Sequence, residues 1–281
     1  MATILITGAN GFLGRELVEY YSQTSHTIIP ASRQILDISD TTAVDEFFAH
    51  NHIDFVWHTA VKYGSRLESF TTNMNMFYNL KRHSGDYTAM VSFGSGAAFD
   101  RATPITEAQE AEVLLGYPDD HYGLAKNIIA REIVAHNSNI INLRLFGCFG
   151  PHENSTRFIT SALERAAAGL PVIVDQNKEM DFCYVGDIIK VLDFIIEGRI
   201  MNHIDINMCY EKKWTLEKIA QFINSLIDSH KDVTIKNIAP GVSYTGCAKR
   251  LATLDIELTG LQGGIVEMLK RKRICLNYKL F

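Results

Sequence analysis

Tyr122-Gly-Leu-Ala-Lys126 sets a phenol and an ammonium four residues apart, which places them one turn along the same face of a helix. That pairing suits proton transfer to or from an oxygen. A tyrosine with an ordinary pKa of about 10 is a sluggish acid or base near neutrality, and a neighbouring Lys⁺ favours its phenolate and pulls that value down. Ser95 is a third candidate. It stands in Ser92-Phe-Gly-Ser95-Gly-Ala-Ala-Phe-Asp100, after a strand, where a hydroxyl at the C-terminal edge of a parallel sheet suits a hydrogen bond to a substrate oxygen beside Tyr122. Plainer readings stand next to these: Tyr-x-x-x-Lys arises by chance in many helices, and a Ser/Gly turn need carry no chemistry.

Gly8-Ala-Asn-Gly11-Phe-Leu-Gly14 joins the first strand to the first helix. Glycine there lets backbone N–H groups approach a pyrophosphate at the positive end of the helix, so the turn reads as a dinucleotide site and not only as a tight connection. The second strand ends in Ala31-Ser32-Arg33, with a cation and no carboxylate. A cation accommodates a ribose 2′-phosphate, so NADP(H) is favoured over NAD(H), unless Arg33 is simply a surface residue beyond the strand. Asp37 suits a hydrogen bond from an adenine amino group, or else caps a helix. With such a cofactor, an oxidised nicotinamide adds to Lys126 in lowering the Tyr122 pKa, and Lys126 is placed to hold the nicotinamide ribose.

The elements that must position these groups follow from the apolar spacing. Ala2 to Thr7 reads as a strand, and apolar positions at Phe12, Leu13, Leu17, Val18 and Tyr21 read as a helix. The alternation continues with strands at Thr27 to Ala31, Phe55 to His58, Ala89 to Phe93 and Ile140 to Leu145, and helices near Thr41 to Ala49, Phe70 to Leu80 and His121 to His136. Strands alternating with helices imply a parallel sheet covered on both faces, a doubly wound Rossmann α/β fold completed by a sixth strand from further along. Beyond Pro151 the pattern loosens into helices near Arg157 to Ala168, Ile188 to Ile196 and Trp214 to Ile227, and strands at Val172 to Val174 and Phe182 to Val185. The expected division is a dinucleotide-binding domain over residues 1–150 and a smaller α/β substrate lobe over 151–281, part of which returns to the first domain. No repeat or linker separates them.

Composition excludes other classes. The formal charge of −5 leaves no footprint for nucleic acid, and the one basic run, Lys270 to Arg273, reads as a solvated helix end. Five cysteines without a Cys-x-x-Cys pair suggest neither a disulfide framework nor a zinc site, and a reducing cytosol fits them. No apolar run approaches the length of about 18 residues that a membrane span needs, and the first is too short for a secretory leader. The expectations are therefore a cytoplasmic protein with no metal, membrane or nucleic-acid partner. His50 and His52 read as helix-end residues, Trp57 as core, Trp214 as a helix start, and Asp187 as the N-cap of the helix it opens.

Gly8 to Gly14, Trp57-His-Thr-Ala60, Asn73, Ser95, Tyr122 with Lys126, Phe149-Gly-Pro151 and a late Tyr244-Thr-Gly-Cys-Ala-Lys-Arg-Leu251 together resemble the extended short-chain dehydrogenases/reductases, the NAD-dependent epimerase/dehydratase family that acts on nucleotide-sugars. Ser32-Arg33, Asp37, Ala43 to Ala49, Lys62-Tyr-Gly64 and Gly150-Pro-His-Glu-Asn154 look like GDP-L-fucose synthase and related 4-keto-6-deoxy-sugar reductases within it. The resemblance implies a catalytic triad of Ser95, Tyr122 and Lys126. It implies a cofactor site formed by Gly8, Asn10, Gly11, Phe12, Leu13, Gly14, Ser32, Arg33, Asp37, Ile38, His58, Thr59, Ala60, Lys62 and Asn73 together with Tyr122 and Lys126. Substrate would meet Ser95, Gly96, Tyr122, Asn154, Arg157 and Lys178. The expected activity is NADPH-dependent reduction of a nucleotide-diphosphate-linked keto-sugar by a homodimer joined through two helices.

The departures sharpen that expectation. The fucose synthases use a Cys two residues after the serine and a His beyond the Gly-Pro-His segment as the acid and base of epimerisation; here those positions read Ala97 and, across a short gap, Arg157. Alanine carries no proton, so reduction without double epimerisation is expected unless His152 or another group substitutes. Met180 stands where relatives place a phosphate-binding Arg before Asp-Phe, leaving Lys178 or Arg157 to compensate, and Gly147 replaces an Asn. Two alternatives stay open. One is a nucleotide-sugar 4-epimerase with tightly held NAD, and the other is an NADP-sensing regulatory protein without catalysis.

Overall fold

Parallel strands that are covered on both faces need apolar residues at nearly every position, and the first half of this chain supplies them. A computed structural model describes residues 1–64, 67–136, 139–199, 204–227 and 231–272, so Arg273 and Cys275 lie outside the described residues. In chain order it runs β1 (Thr3–Thr7), α1 (Phe12–Tyr21), β2 (Thr27–Ala31), α2 (Thr41–His50), β3 (Phe55–His58), α3 (Leu67–Lys81), β4 (Ala89–Ser95), β5 (Ile105–Ala108), α4 (His121–His136) and β6 (Ile140–Leu145). Then follow β7 (Cys148–Phe149), α5 (Phe158–Ala167), β8 (Val172–Gln176), β9 (Cys183–Tyr184), α6 (Val185–Ile196), β10 (Asp205–Met208), α7 (Leu216–Leu226), β11 (Val233–Asn237), β12 (Tyr244–Gly246), α8 (Lys249–Ala252) and α9 (Gly260–Arg271).

Six strands form one parallel sheet in the order β10-β6-β4-β3-β1-β2. Pro30 is tolerated within β2 because that strand is the sheet edge, where a missing N–H breaks no ladder. One apolar layer covers one face with Ile4, Trp57, Val91, Leu143, Ile188 and Leu192; the other carries Leu5, Val56, Met90, Phe77 and Ile133. The expected sixth strand is β10, and α6 packs on the sheet beside it, so residues beyond 150 return to the main sheet and to one of its two apolar layers. A second core gathers α5, α7, α9, β8 and β9 around Leu163, Val172, Val185, Ile219 and Ile265.

Asp187 departs from its expected part. The helix α6 begins at Val185 with Tyr184 at its N-cap, so Asp187 sits inside the first turn. Its buried carboxylate instead accepts the backbone N–H groups of Thr259 and Gly260 at 2.6 and 2.9 Å and the Tyr210 hydroxyl at 2.6 Å. It therefore satisfies the orphan donors at the start of α9, a different helix, and ties that helix to α6. Trp57 is fully buried, and His50 closes the last turn of α2 by bonding the Glu46 carbonyl.

Candidate active site

A cavity of about 680 Å³ runs along the C-terminal ends of the sheet, past Thr7, Ala31, Thr59, Ser95 and Leu145. The chain crosses from β2 over β1 to β3 at this edge, which is the switch point where open α/β sheets bind ligands. The glycine turn forms one wall. Gly8 has φ +67°, and a Cβ there would stand 2.6 Å from the Ala60 Cα; one on Gly14 would stand 2.2 Å from the Gly8 carbonyl oxygen. Both glycines are thus required by the backbone's own packing, which leaves the N-terminus of α1 facing the cavity. Asn10, Gly11, Phe12 and Leu13 line it as well.

Ser32, Arg33, Asp37 and Ile38 line the same wall at the end of β2. The exposed Arg33 side chain donates through Nε to Asp37 at 3.0 Å. The Ser39 hydroxyl and amide, with Arg33 behind them, hold the Asp37 carboxyl below its usual range. Asp40, not Asp37, caps α2 by accepting from Thr42 and Ala43. A guanidinium on the cavity wall is free to add a phosphate partner, since its five donors exceed what one carboxylate takes.

Tyr122, Lys126 and Ser95 all line this cavity. Lys126, only 6% exposed, donates from Nζ to the Phe93 carbonyl at 2.7 Å, and burial lowers its pKa to about 8. Ser95 Oγ accepts the Ala97 N–H at 3.1 Å, and Ser95 and Tyr122 both line the cavity. Burial, with Tyr63 nearby, pushes the Tyr122 phenol up and outweighs the lowering that Ser95 exerts. The expectation of a depressed value is corrected in this setting: desolvation dominates, and Tyr122 is held as a neutral acid.

Beyond that trio the wall is made by Gly147, Cys148, Glu153, Asn154 and Arg157. Gly147 accepts the Cys183 N–H at the start of β9 at 2.9 Å, and a Cβ on it would lie 2.7 Å from the ring of Phe182, the residue just before that strand. Glu153 is buried and accepts the Thr160 hydroxyl at 2.7 Å, with Arg157 Nε at 3.7 Å from its other oxygen. Burial raises its pKa to about 7. Burial also pushes the adjacent Cys148 thiol up, so that thiol stays protonated.

Four expected site residues do not line the cavity. His58 lies behind it, its Nδ1 3.0 Å from the Thr7 hydroxyl, and burial with the Lys126 charge pushes its pKa down to about 3. With Thr59, which donates to the Thr7 carbonyl at 2.6 Å, it locks the ends of β1 and β3 together under the glycine turn. Asn73 is buried and holds both backbone groups of Lys62 at 2.8 and 3.1 Å, so it positions the segment that carries Lys62 and Tyr63 into the cavity wall. Gly96 faces the rings of Phe146 and Tyr244, and Lys178 sits at the end of β8, its carbonyl accepting from Leu216. His152 also points elsewhere, its Nε2 2.6 Å from Glu19. Glu153 and Tyr63 line the cavity although the motifs that contain them do not single them out; no spacing distinguishes a side chain that turns toward a cavity from one that turns away. Among the described residues no group of three His, Cys, Asp or Glu gathers to hold a metal, and no helix is long and apolar enough to cross a membrane.

Comparison with known proteins places this geometry. The UDP-2-acetamido-2,6-beta-L-arabino-hexul-4-ose reductase of Pseudomonas aeruginosa is 23% identical over 289 residues, spanning 95% of this chain and 71% of that protein. The NADP-bound GDP-mannoheptose C4 reductase of Campylobacter jejuni superposes with a TM-score of 0.76 at 18% identity, covering 97% of this chain and 98% of the other. The UDP-glucose 4-epimerase of Thermotoga maritima, solved with UDP-glucose, also gives 0.76, at 17% identity over 96% of this chain and 98% of its own. Residues 4–209 match the NAD dependent epimerase/dehydratase family, and the chain belongs to that family.

Proposed function

We propose that this protein is an NADPH-dependent reductase of a nucleotide-diphosphate-linked 4-keto-6-deoxy-sugar, or of a similarly dehydrated sugar, and that it reduces the ketone without epimerisation. The observation that carries the reading is the convergence of Ser95, Tyr122 and Lys126 on the same cavity wall as the glycine turn and Arg33. The relatives support the substrate class, since two of them are named as reductases of nucleotide-linked sugars. The cradle that Gly8 and Gly14 leave fits a pyrophosphate, and Arg33 fits a 2′-phosphate. When bound there, NADPH supplies the hydride.

The chain's own groups supply the rest. Ser95 donates a hydrogen bond to the ketone oxygen, and Tyr122, held protonated by burial, passes its proton to that oxygen as negative charge develops on it. Lys126 holds the cofactor ribose and offers the positive charge that stabilises the resulting phenolate. Epimerisation beside the ketone needs an acid and a base on opposite faces of the ring. Ala97 carries no proton, Cys148 is held protonated by burial and so is no base, and His152 faces Glu19.

The test is incubation with NADPH and keto-sugars linked to GDP, CDP, dTDP and UDP, following the reduced-nicotinamide absorbance. Loss of absorbance with one of them is expected, and none with all four overturns the reading. In D₂O the product should gain no deuterium beside the reduced carbon; its appearance there overturns the absence of epimerisation. The 4-epimerase alternative predicts a stoichiometric NAD retained through purification, whereas the reductase exchanges NADP freely. A homodimer and a cytoplasmic location complete the proposal, the first checked by sedimentation and the second by fractionation.

A further inference from the structure

Tyr63 presents a large ring to solvent on the wall of the cavity. It is 72% exposed, and its ring centroid stands 5.4 Å from that of Tyr122 with the two planes tilted by 37°. Its backbone is fixed on both sides. The Asn73 side chain, reaching from α3, accepts the Lys62 N–H at 3.1 Å and donates to the Lys62 carbonyl at 2.8 Å. The Ser69 hydroxyl donates to the Gly64 carbonyl at 2.8 Å, and Gly64 has φ +147°, a conformation open to glycine and rarely to other residues. The Lys62 ammonium is itself held 3.3 Å from Glu68.

A lone exposed tyrosine on a protein surface needs no explanation. This one differs in that the residues before and after it are braced, while the ring they carry is left in water beside Tyr122. Ligand cavities combine apolar and aromatic walls with a few placed polar groups, and Tyr63 is the exposed aromatic face next to the proton donor.

We propose, building on the reductase reading, that Tyr63 is a specificity-determining residue whose ring is the platform for the apolar face of the substrate's sugar. A ketone oxygen that takes the Tyr122 proton lies within hydrogen-bond distance of that phenol, so the sugar ring bearing the ketone comes beside Tyr63. A 6-deoxyhexose offers C–H bonds and a methyl group, whose partial positive charge suits the negative face of an aromatic ring. Closing the two together removes apolar surface of both from water. The same negative face offers a diphosphate no attraction, so the contribution of Tyr63 falls on the sugar and not on the nucleotide's anionic part.

The experiment measures, by isothermal titration with NADP⁺ present, the affinity for 6-deoxyhexoses linked to GDP, CDP, dTDP and UDP, each set beside its free nucleoside diphosphate. Wild type is expected to hold one conjugate more tightly than the diphosphate alone. Tyr63→Ala should cut that advantage roughly 3- to 10-fold, with the free diphosphate and NADP⁺ bound as before. Tyr63→Phe, which restores the ring without the hydroxyl, should recover the advantage. Three results overturn the inference: an undiminished advantage in Tyr63→Ala, an equal loss in Tyr63→Phe, which would assign the effect to a hydrogen bond of the hydroxyl, or a parallel loss of NADP⁺ affinity, which would assign the ring to the nicotinamide. A wild type that prefers no conjugate overturns it as well. Binding needs no turnover, so a protein that prefers a conjugate yet reduces no keto-sugar counts against the reductase reading alone.

Discussion

At the glycine end the cavity wall is main chain from one short segment, Gly8 to Gly14, and its shape follows from contacts that a Cβ would break within that segment and with Thr59 and Ala60 after β3. At the other end the wall is side chain, with Glu153, Asn154 and Arg157 held through Thr160 and by β9 running beside Gly147. A backbone cradle recognises a pyrophosphate whatever is attached to it. A side-chain wall recognises one sugar and nucleotide, and it alters with single substitutions. The first end is therefore general and the second selective, and Tyr122 stands where they meet.

The largest expected effect lies at that junction. Tyr122→Phe removes the acid and should lower kcat for keto-sugar reduction by about 10²- to 10⁴-fold while NADPH binding, measured by fluorescence titration, stays as in wild type. If binding falls in parallel, Tyr122 belongs to the cofactor wall and the two ends are not separable.

The next effect isolates the side-chain end. The Glu153 pKa is raised by burial from 4.5 to about 7, so the folded protein keeps a proton there that the unfolded chain has released. The associated stability is fully present below about 4.5 and is lost as pH rises through about 7. Glu153→Gln keeps an acceptor for Thr160 without the charge. It should be more stable than wild type at pH 8, by up to about 3 kcal/mol, and the two should converge near about pH 4 in urea unfolding. A difference that does not vary with pH would mean that the carboxyl is not desolvated by the wall.

The smallest effect tests the cation at the glycine end, Arg33. Arg33→Ala should raise KM for NADPH roughly 10-fold and leave KM for NADH unchanged, the low end for a charged hydrogen bond because the guanidinium is exposed to solvent. Added salt should weaken NADPH binding in wild type more than in the variant. Equal losses for both cofactors would assign Arg33 to the fold.

Much of this was legible beforehand because it is local. Five strands of the main sheet announce themselves by apolar runs of the right length, whereas β10, Asp205-Ile-Asn-Met208, does not; Tyr122 and Lys126 share a face because they are one helical turn apart, and the glycine turn is a contiguous heptad of residues. The misplacements share a cause. Asp187 was assigned to the helix it opens, yet it serves α9 some 70 residues later. His58 and Asn73 sit in motifs that border the cavity, but they turn inward to brace it.

The amino-acid sequence by itself determined the alternation of strands and helices, the glycine turn and the one-turn spacing of Tyr122 and Lys126, since period, glycine and helical spacing are properties of neighbours along the chain. Tertiary structure alone decided which way each side chain faces and what surrounds it. Burial raised the pKa of Tyr122 and of Glu153, the approach of Phe182 demanded glycine at 147, and the return of β12 brought the Tyr244 ring against Gly96. Desolvation and close contact depend on residues distant in sequence, and no local pattern encodes them.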